Sequence, residues 1–570
     1  MEDKENVASR PDEWWKSAVV YQIYPRSFAD SNGDGIGDIP GITSKLDYLA
    51  NLGVDVLWLS PVYRSPQKDN GYDISDYQDI DPSFGTLEDL DRLLKEAHSR
   101  GMKLVMDLVV NHTSDQHPWF IEARDPASPK RDWYIWRAAK DGYTPGHPGA
   151  EPCIWEAFFA PSSWTFDPNS GQYYLSVFSP YQPDLNWENP EVREAVYKMM
   201  RWWVDFGVDG FRMDVINFIS KPDSLTTGAP LPDEILRSEL PNGPRVDEFL
   251  QEMNRAVGLT DKNLITVGEM AGATVEVARR ATDAKRRELN MVFTFEHMEI
   301  DVISGGTKWD FEELSLAALK NNLAHWQDGL AEAGWNSLYW NNHDQPRVVS
   351  RFGDDSPEFR VASAKALATV LHLHKGTPYV YQGEELGMTN APFTEIEDYE
   401  DIDSLNWFVL SKERGLDEET ILHQLSVKSR DHARTPVQWD TSENAGFTSG
   451  TPWFAVNPNY AEINAEAAVA DSDSVFHHYR RLIALRHSDE TVREGHFELL
   501  LADHPQIWAF TRTLGERTLL VVANFSSEAV ELPAEDLPSL VGSSLVFGSR
   551  SLDGVVVLEP WEAQVLELAR

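Results

Sequence analysis

A chain of 570 residues with 50 Lys plus Arg against 92 Asp plus Glu carries a formal net charge of −42. With 42% hydrophobic and 25% charged residues it has the balance of a globular protein able to bury a large core, and its charge argues against nucleic acid or an anionic membrane as the main partner. The single cysteine, Cys153, excludes an intrachain disulfide and a cysteine-based zinc site.

The N-terminal MEDKENVASRPDEWW has no apolar h-region or cleavage-site pattern, and no run of 18 apolar residues occurs in the chain, so a cytoplasmic protein without a membrane span is expected. Short apolar, β-branched or aromatic runs then alternate with helical patterns, at residues 19–25, 54–61, 103–112, 207–215, 263–270, 290–297, 335–344 and 376–385. Near-continuous apolar strands between helices predict a parallel sheet covered on both faces, and eight of them predict a (β/α)8 TIM barrel. In most of the eight, polar residues gather at the C-terminal end of the run, where barrel active sites lie. The stretch between the third and fourth strands is too long for one helix and is rich in Trp, Pro, Gly and Tyr, which predicts a small inserted domain with some β structure over 112–185. A second excursion follows the eighth strand at 387–457, within a barrel spanning 12–111 and 186–488. From 489 to 570 the pattern changes to period two and predicts an antiparallel C-terminal β domain.

Two clusters carry chemistry. Asp30, Asn32, Asp34 and Asp38 alternate with glycines just after the first strand, and with the Ile36 carbonyl they suit a hard cation such as Ca2+, or Mg2+, in a structural role. Asp214, Glu269 and Asp344 close three consecutive motifs at strand ends. Two carboxylates facing a glycosidic bond are the minimum for its hydrolysis, one as nucleophile or base and one as acid. Arg212, two residues before Asp214 and on the same strand face, is expected to keep that carboxylate ionised. The apolar run before Glu269 is expected to favour a general acid there.

The segments Asp107-Leu-Val-Val-Asn111-His112, Gly210-Phe-Arg212-Met-Asp214, Gly268-Glu269-Met270 and Asn342-His343-Asp344 resemble, in order, the signature regions of the α-amylase family of glycoside hydrolases. The segment 182–188, the Asp30 loop and the run at 376–379 resemble its oligo-1,6-glucosidase branch. The resemblance implies that Asp214 is the nucleophile, Glu269 the acid/base and Asp344 the third acid that holds sugar hydroxyls. It implies that His112 and His343 grip the glucose at the cleavage point, that Arg212 is the substrate-site arginine beside the nucleophile, and that Asp69 and Tyr72 bind and stack the terminal glucose. Arg434 would pair with Asp69 to close the groove into a dead-end pocket, with Phe178 and Gln182 as further lining. Val215, after the nucleophile, is the residue type found in α-1,6-preferring members, while Pro152-Cys153-Ile154-Trp155 and the 159–164 stretch depart from the branch's usual entrance. The implied activity is that of a retaining exo-acting α-glucosidase on short oligosaccharides, α-1,6 bonds first, with transglycosylation as a side reaction. The alternatives are an α-1,4 maltase or sucrase, a trehalose-6-phosphate hydrolase, and a non-catalytic relative that acts as a binding or transporter-associated protein. A monomer with a small-molecule partner is expected.

Overall fold

The computed structural model describes residues 13–226, 231–533, 535–550, 552 and 557–569. Residues 1–12, which include most of the stretch read for a leader and the first expected barrel residue, lie outside the described residues, as do Val555 and Val556 in the expected C-terminal β domain. Eight parallel strands form the centre: β1 Val20–Ile23, β2 Val56–Leu59, β3 Lys103–Val109, β4 Gly210–Asp214, β5 Ile265–Glu269, β6 Met291–Phe293, β7 Ser337–Leu338 and β8 Thr377–Tyr381. Their order in the sheet is β6-β5-β4-β3-β2-β1-β8-β7. A parallel bridge between Val292 and Asn336, the residue before β7, brings the two ends of the sheet together into a nearly closed barrel. Of the eight strands, only β3 and β7 contain a residue that is not fully buried, as expected when helices cover one side of a strand and packed side chains fill the other.

The covering helices are legible residue by residue. Leu87–Ser99 opens on a capping box between Thr86 and Asp89 and buries Leu90, Leu93, Leu94 and Ala97 at helical spacing. Pro190–Phe206 starts with Asn189 as its cap and Pro190 in the first turn, and stops at Gly207, which takes the positive φ of 120° that ends it. Arg360–Leu373 is buried along most of its length, as a helix must be when it packs against the barrel on one side and the C-terminal sheet on the other.

Between β3 and β4, strands Trp136–Arg137, Trp164–Asp167 and Gln172–Leu175 form a small antiparallel sheet. Its apolar cluster is shared with Phe218, Leu225, Ile235 and Leu240 from the segment after β4, so the insert is built on the barrel's rim rather than beside it. The excursion after β8 holds helices Ile402–Glu413 and Glu418–Lys428. The C-terminal strands, β9 His496–Leu500, β10 Ile507–Leu514, β11 Arg517–Asn524, β12 Ser544–Phe547 and β13 Ala563–Glu567, form an antiparallel sheet in the order β9-β10-β11-β13-β12. Buried Arg512 ties this sheet down by donating to the carbonyls of Gly495 (2.8 and 3.1 Å) and Leu373. Among the described residues no helix is long and apolar enough to cross a membrane.

Candidate active site

Strand register sets the height of the acids. Asp107 of β3 lies opposite Arg212 of β4, and Gly268 of β5 lies opposite Met213, so Asp214 and Glu269 end neighbouring strands at the same level. Alternation along β4 puts Arg212 and Asp214 on one face and Phe211 and Met213 on the other. Arg212 is the hub: it donates to Asp107 Oδ1 at 2.9 Å and to Asp214 Oδ1 at 2.7 Å, and its second terminal nitrogen lies 2.7 Å from Glu269 Oε2. All four side chains are buried.

The expectation that Arg212 keeps Asp214 ionised needs correction, because one guanidinium is shared among three carboxylates. Burial raises the Asp214 pKa against the pull of Arg212, and the Glu269 and Asp107 charges add to the rise. Burial raises Asp107 likewise, again opposed by Arg212.

Past Asp214 the chain turns sharply. Val215 adopts φ 36° and ψ 42°, a left-handed conformation that is costly for a β-branched residue. In this conformation its N–H donates to Glu269 Oε2 at 3.1 Å.

The pocket wall is a second connected network. Tyr72 stacks on His343 with ring centroids 5.3 Å apart and an interplanar angle of 7°, and its hydroxyl meets His343 Nε2 at 2.7 Å. Gln22 donates to His343 Nδ1 at 2.9 Å, which places the ring proton on Nε2, 3.1 Å from Asp344 Oδ2. Burial pushes both His343 and His112 down to about 3, so both rings are neutral donors and acceptors at ordinary pH. His112 meets the Tyr72 carbonyl (3.1 Å) and the Gln182 side chain (3.2 Å), and Gln182 donates to Asp69 Oδ2 at 2.9 Å. Phe178 packs its ring against His112 and stacks on Phe158.

The pairing expected of Arg434 is overturned. Arg434 donates to Asp344 Oδ1 (2.9 Å), to the His343 carbonyl (3.1 Å) and to Asp401; the guanidinium that approaches Asp69, at 3.5 Å, is that of Arg430. Arg430 also donates to Asp344 Oδ1 at 2.8 Å and to Asp401 Oδ1 at 2.7 Å. Arg434 precedes a bend that turns it under His343, while Arg430, four residues earlier on the buried stretch leading into Asp431–Arg434, reaches over the pocket. Burial makes the charge of Asp344 costly, but His343, Arg430 and Arg434 more than offset it and hold that carboxyl well below the usual range. Burial raises Asp69, with Arg430 opposing. Arg430 and Asp401 escaped the sequence reading; both lie in the 387–457 excursion, and only the double Arg of SRDHAR hinted at them.

At the altered entrance, Cys153, Trp155 and Trp164 are buried core of the insert, and Trp164 Nε1 donates to Cys153 Sγ at 3.2 Å. Phe159 lies over the Arg430 guanidinium at 5.0 Å, and its carbonyl accepts from Asn406 at 3.0 Å, which clasps the insert to helix Ile402–Glu413.

The Asp30 loop wraps around its own oxygens. Asp30 accepts from the N–H groups of Asn32, Gly33 and Gly35, Asn32 from Asp34, and Asp34 from Ile36. Asp38 accepts from Ser31 and caps helix Ile39–Ser44 through Gly41. Among the described residues no three acids, His or Cys converge as a preformed metal cage. The donors are nevertheless all hard oxygens, with three carboxylates in nine residues; an ion would replace some of these hydrogen bonds, since Asp30 already accepts two at each oxygen, those from Gly35 and Thr448 among them. Their chemistry fits an oxygen-seeking divalent ion.

This geometry has close counterparts. The family described as alpha amylase, catalytic domain, matches residues 22–495, and the maltogenic amylase C-terminal domain matches residues 497–548. An oligo-1,6-glucosidase of Parageobacillus thermoglucosidasius is 56% identical over 568 residues, covering 97% of this chain and 99% of that protein. A trehalose-6-phosphate hydrolase of Bacillus subtilis (strain 168) is 50% identical over 564 residues, covering 98% of each. The crystal structure of a trehalose-6-phosphate hydrolase of Bacillus licheniformis superposes with a TM-score of 0.92 at 47% identity, covering 98% of this chain and 100% of that one. With a barrel of this topology, three buried acids around one arginine, and family matches that together span nearly the whole chain, the protein belongs to the α-amylase family and is a glycoside hydrolase.

Proposed function

We propose that the protein is a retaining, exo-acting α-glucosidase that removes terminal non-reducing glucose from short oligosaccharides, with α-1,6 bonds preferred. The observation that carries the reading is the continuous network from Asp69 through Gln182, His112, Tyr72 and His343 to Asp344, closed over by Arg430, beside the Asp214–Arg212–Glu269 cluster. A pocket walled this way holds one sugar unit and leaves the bond to the next at its mouth. Asp214 attacks the anomeric carbon while Glu269 gives its proton to the leaving oxygen, so a glucosyl ester forms and the shortened sugar departs. Glu269, now ionised, takes a proton from water as that water attacks the same carbon, which frees Asp214 and restores the α configuration. A sugar hydroxyl in place of water gives transglycosylation. Asp344 serves the transition state: held charged, it faces the region where oxocarbenium character develops.

The relatives named as trehalose-6-phosphate hydrolases raise a phosphorylated substrate as the second reading. A neutral sugar is favoured because five cations on the described loops after β4, β7 and β8 have acidic partners: Lys221 with Asp184, Arg351 and Lys428 with Asp301, and Arg430 and Arg434 with Asp344 and Asp401. Initial rates on isomaltose, maltose, sucrose, trehalose and trehalose 6-phosphate, with the first-released glucose typed by NMR, separate the readings. Isomaltose ahead with α-glucose released supports the proposal; trehalose 6-phosphate ahead, or β-glucose as first product, overturns it. Asp214→Asn serves as the blank, with a loss on the order of 10⁴-fold or more.

The same proposal assigns Asp30, Asn32, Asp34, Asp38 and the Ile36 carbonyl to a structural Ca2+ or Mg2+. An ion bound to the folded state alone raises the melting temperature as its concentration passes the dissociation constant. Calcium added after EDTA treatment is expected to restore several degrees; identical melts with and without the ion reject the assignment.

A further inference from the structure

Behind the two arginines lies a carboxylate that no motif singles out. Asp401 is 1% exposed, so substrate does not reach it. Its Oδ1 accepts from Arg430 Nε at 2.7 Å and its Oδ2 from Arg434 Nη1. The far ends of the same two guanidiniums converge on a single oxygen of Asp344, at 2.8 and 2.9 Å, and Arg430 extends to Asp69. Two like charges are thus brought within 3 Å of one atom, an arrangement that persists only if something behind them offsets their repulsion. Asp401 is itself held: it caps helix Ile402–Glu413 by accepting from Asp403 N–H at 2.9 Å, and the N–H groups of Glu400 and Asp401 donate to Asp431 Oδ1 at 3.3 and 3.0 Å. The other Asp431 oxygen accepts from Ser404 and Ser429.

We propose that Asp401 is the positioning residue of this site, a carboxylate sealed from substrate that fixes Arg430 and Arg434 so that Asp344 and Asp69 meet the terminal glucose in one orientation. The inference rests on the glucosidase reading above. It assigns the excursion after β8 a specific purpose: the helix and the two arginines form one rigid bracket over the pocket.

Asp401→Asn separates positioning from simple helix capping. The amide keeps an oxygen for Asp403 N–H and Arg430, but turns an N–H donor toward Arg434. With isomaltose, kcat/KM is expected to fall 100-fold or more. The loss is expected in kcat rather than KM, because Asp344 acts on the transition state and both arginines that hold its oxygen lose their anchor. In an Arg430→Gln background the same substitution is expected to cost far less than it does alone. A lower melting temperature with wild-type kcat and kcat/KM overturns the proposal, as do fully multiplicative losses in the double variant. Asp401→Ser, which keeps the cap and leaves room for water around both guanidiniums, gives the same readouts if the Asn variant does not fold. Wild-type protein inactive on isomaltose and maltose alike would sink the functional reading and this inference with it, whereas a wild-type rate matched by Asp401→Asn sinks this inference alone.

Discussion

Val215 shows how much one residue at the centre of a site can carry. Its backbone, held at φ 36°, aims an N–H at Glu269, and its side chain packs half-buried against the cluster that includes Phe218 and Phe158 at the insert's edge. The backbone contribution belongs to the turn; the side chain's is space beside the scissile bond. Valine to alanine removes two methyl groups and eases the left-handed strain, so the fold is kept while the pocket mouth widens. The ratio of kcat/KM for isomaltose over maltose is expected to fall on the order of tenfold, the scale of a small apolar group in a substrate pocket. An unchanged ratio in Val215→Ala would take the side chain out of linkage selection. The three acids, both histidines and Arg212 were readable in the chain because each sits within a few residues of a strand end whose apolar run marks it. Arg430 and Asp401 were not, since Arg430 meets Asp344 from 86 positions away and Asp401 acts on it only through Arg430 and Arg434, by a path through helices that no local pattern encodes. A pair of arginines four residues apart says nothing by itself about which one faces Asp69, and the helical turn between them, with the bend after Arg434, decided against Arg434.

Elements were readable in proportion to how far their apolar residues are used for pairing. β3 fills nearly all of its predicted run, but β7 keeps only Ser337 and Leu338 from 335–344. The aromatic residues around it are buried for other reasons: Trp335 donates to Thr377, Tyr339 to the Thr294 carbonyl and Trp340 to the Leu367 carbonyl. A buried coil held by side chains has the same composition as a strand, and periodicity does not separate them. At the end of β8 the sequence shows two adjacent glutamates, and the structure shows both buried against tyrosines: Tyr479 donates to Glu384 at 2.6 Å, and Tyr21 and Tyr48 donate to Glu385 at 2.9 and 2.7 Å. Burial pushes Glu384 up to about 8. Its unfolded value is near 4.3, so between those limits the fold keeps a proton that the unfolded chain has lost. Stability from this group is therefore full below about pH 4.3 and declines as pH rises toward 8. Glu384→Gln keeps an oxygen for Tyr479 and removes the titration. Its melting temperature is expected to fall less than wild type's between pH 5 and 8, and to exceed it at pH 9 by roughly a few degrees. Parallel curves for the two proteins would show that Glu384 is ionised in the fold.

For the whole molecule the dominant fact is a net charge of −42 on an accessible surface of 22930 Å². The sequence carried that number openly but not its consequence, which depends on how far apart the unpaired charges lie. Spread evenly they sit roughly 20–25 Å from one another, well inside the ~30 Å Debye length at 0.01 M salt and well outside the ~8 Å length at 0.15 M. Their mutual repulsion disfavours the compact state at low salt and is screened near physiological strength. Salt also weakens the protein's exposed ion pairs, such as Lys95–Asp91 and Arg201–Glu194, but such pairs are worth at most about 1 kcal/mol each, many contribute nothing, and their loss is local. The excess charge therefore sets the sign. The melting temperature at pH 7 is expected to rise by several degrees between 10 and 150 mM NaCl and to level off by about 0.5 M. Chloride is the salt to use, because sulfate strengthens apolar burial in any protein and would give a rise for the wrong reason. Repeating the series near pH 4.5, where many carboxylates are protonated, isolates the cause: the rise should shrink as the charge does. A melting temperature that falls with added NaCl at pH 7 would mean that the ion pairs outweigh the excess charge, and that the acidity of this surface is neutralised locally rather than borne by the fold as a whole.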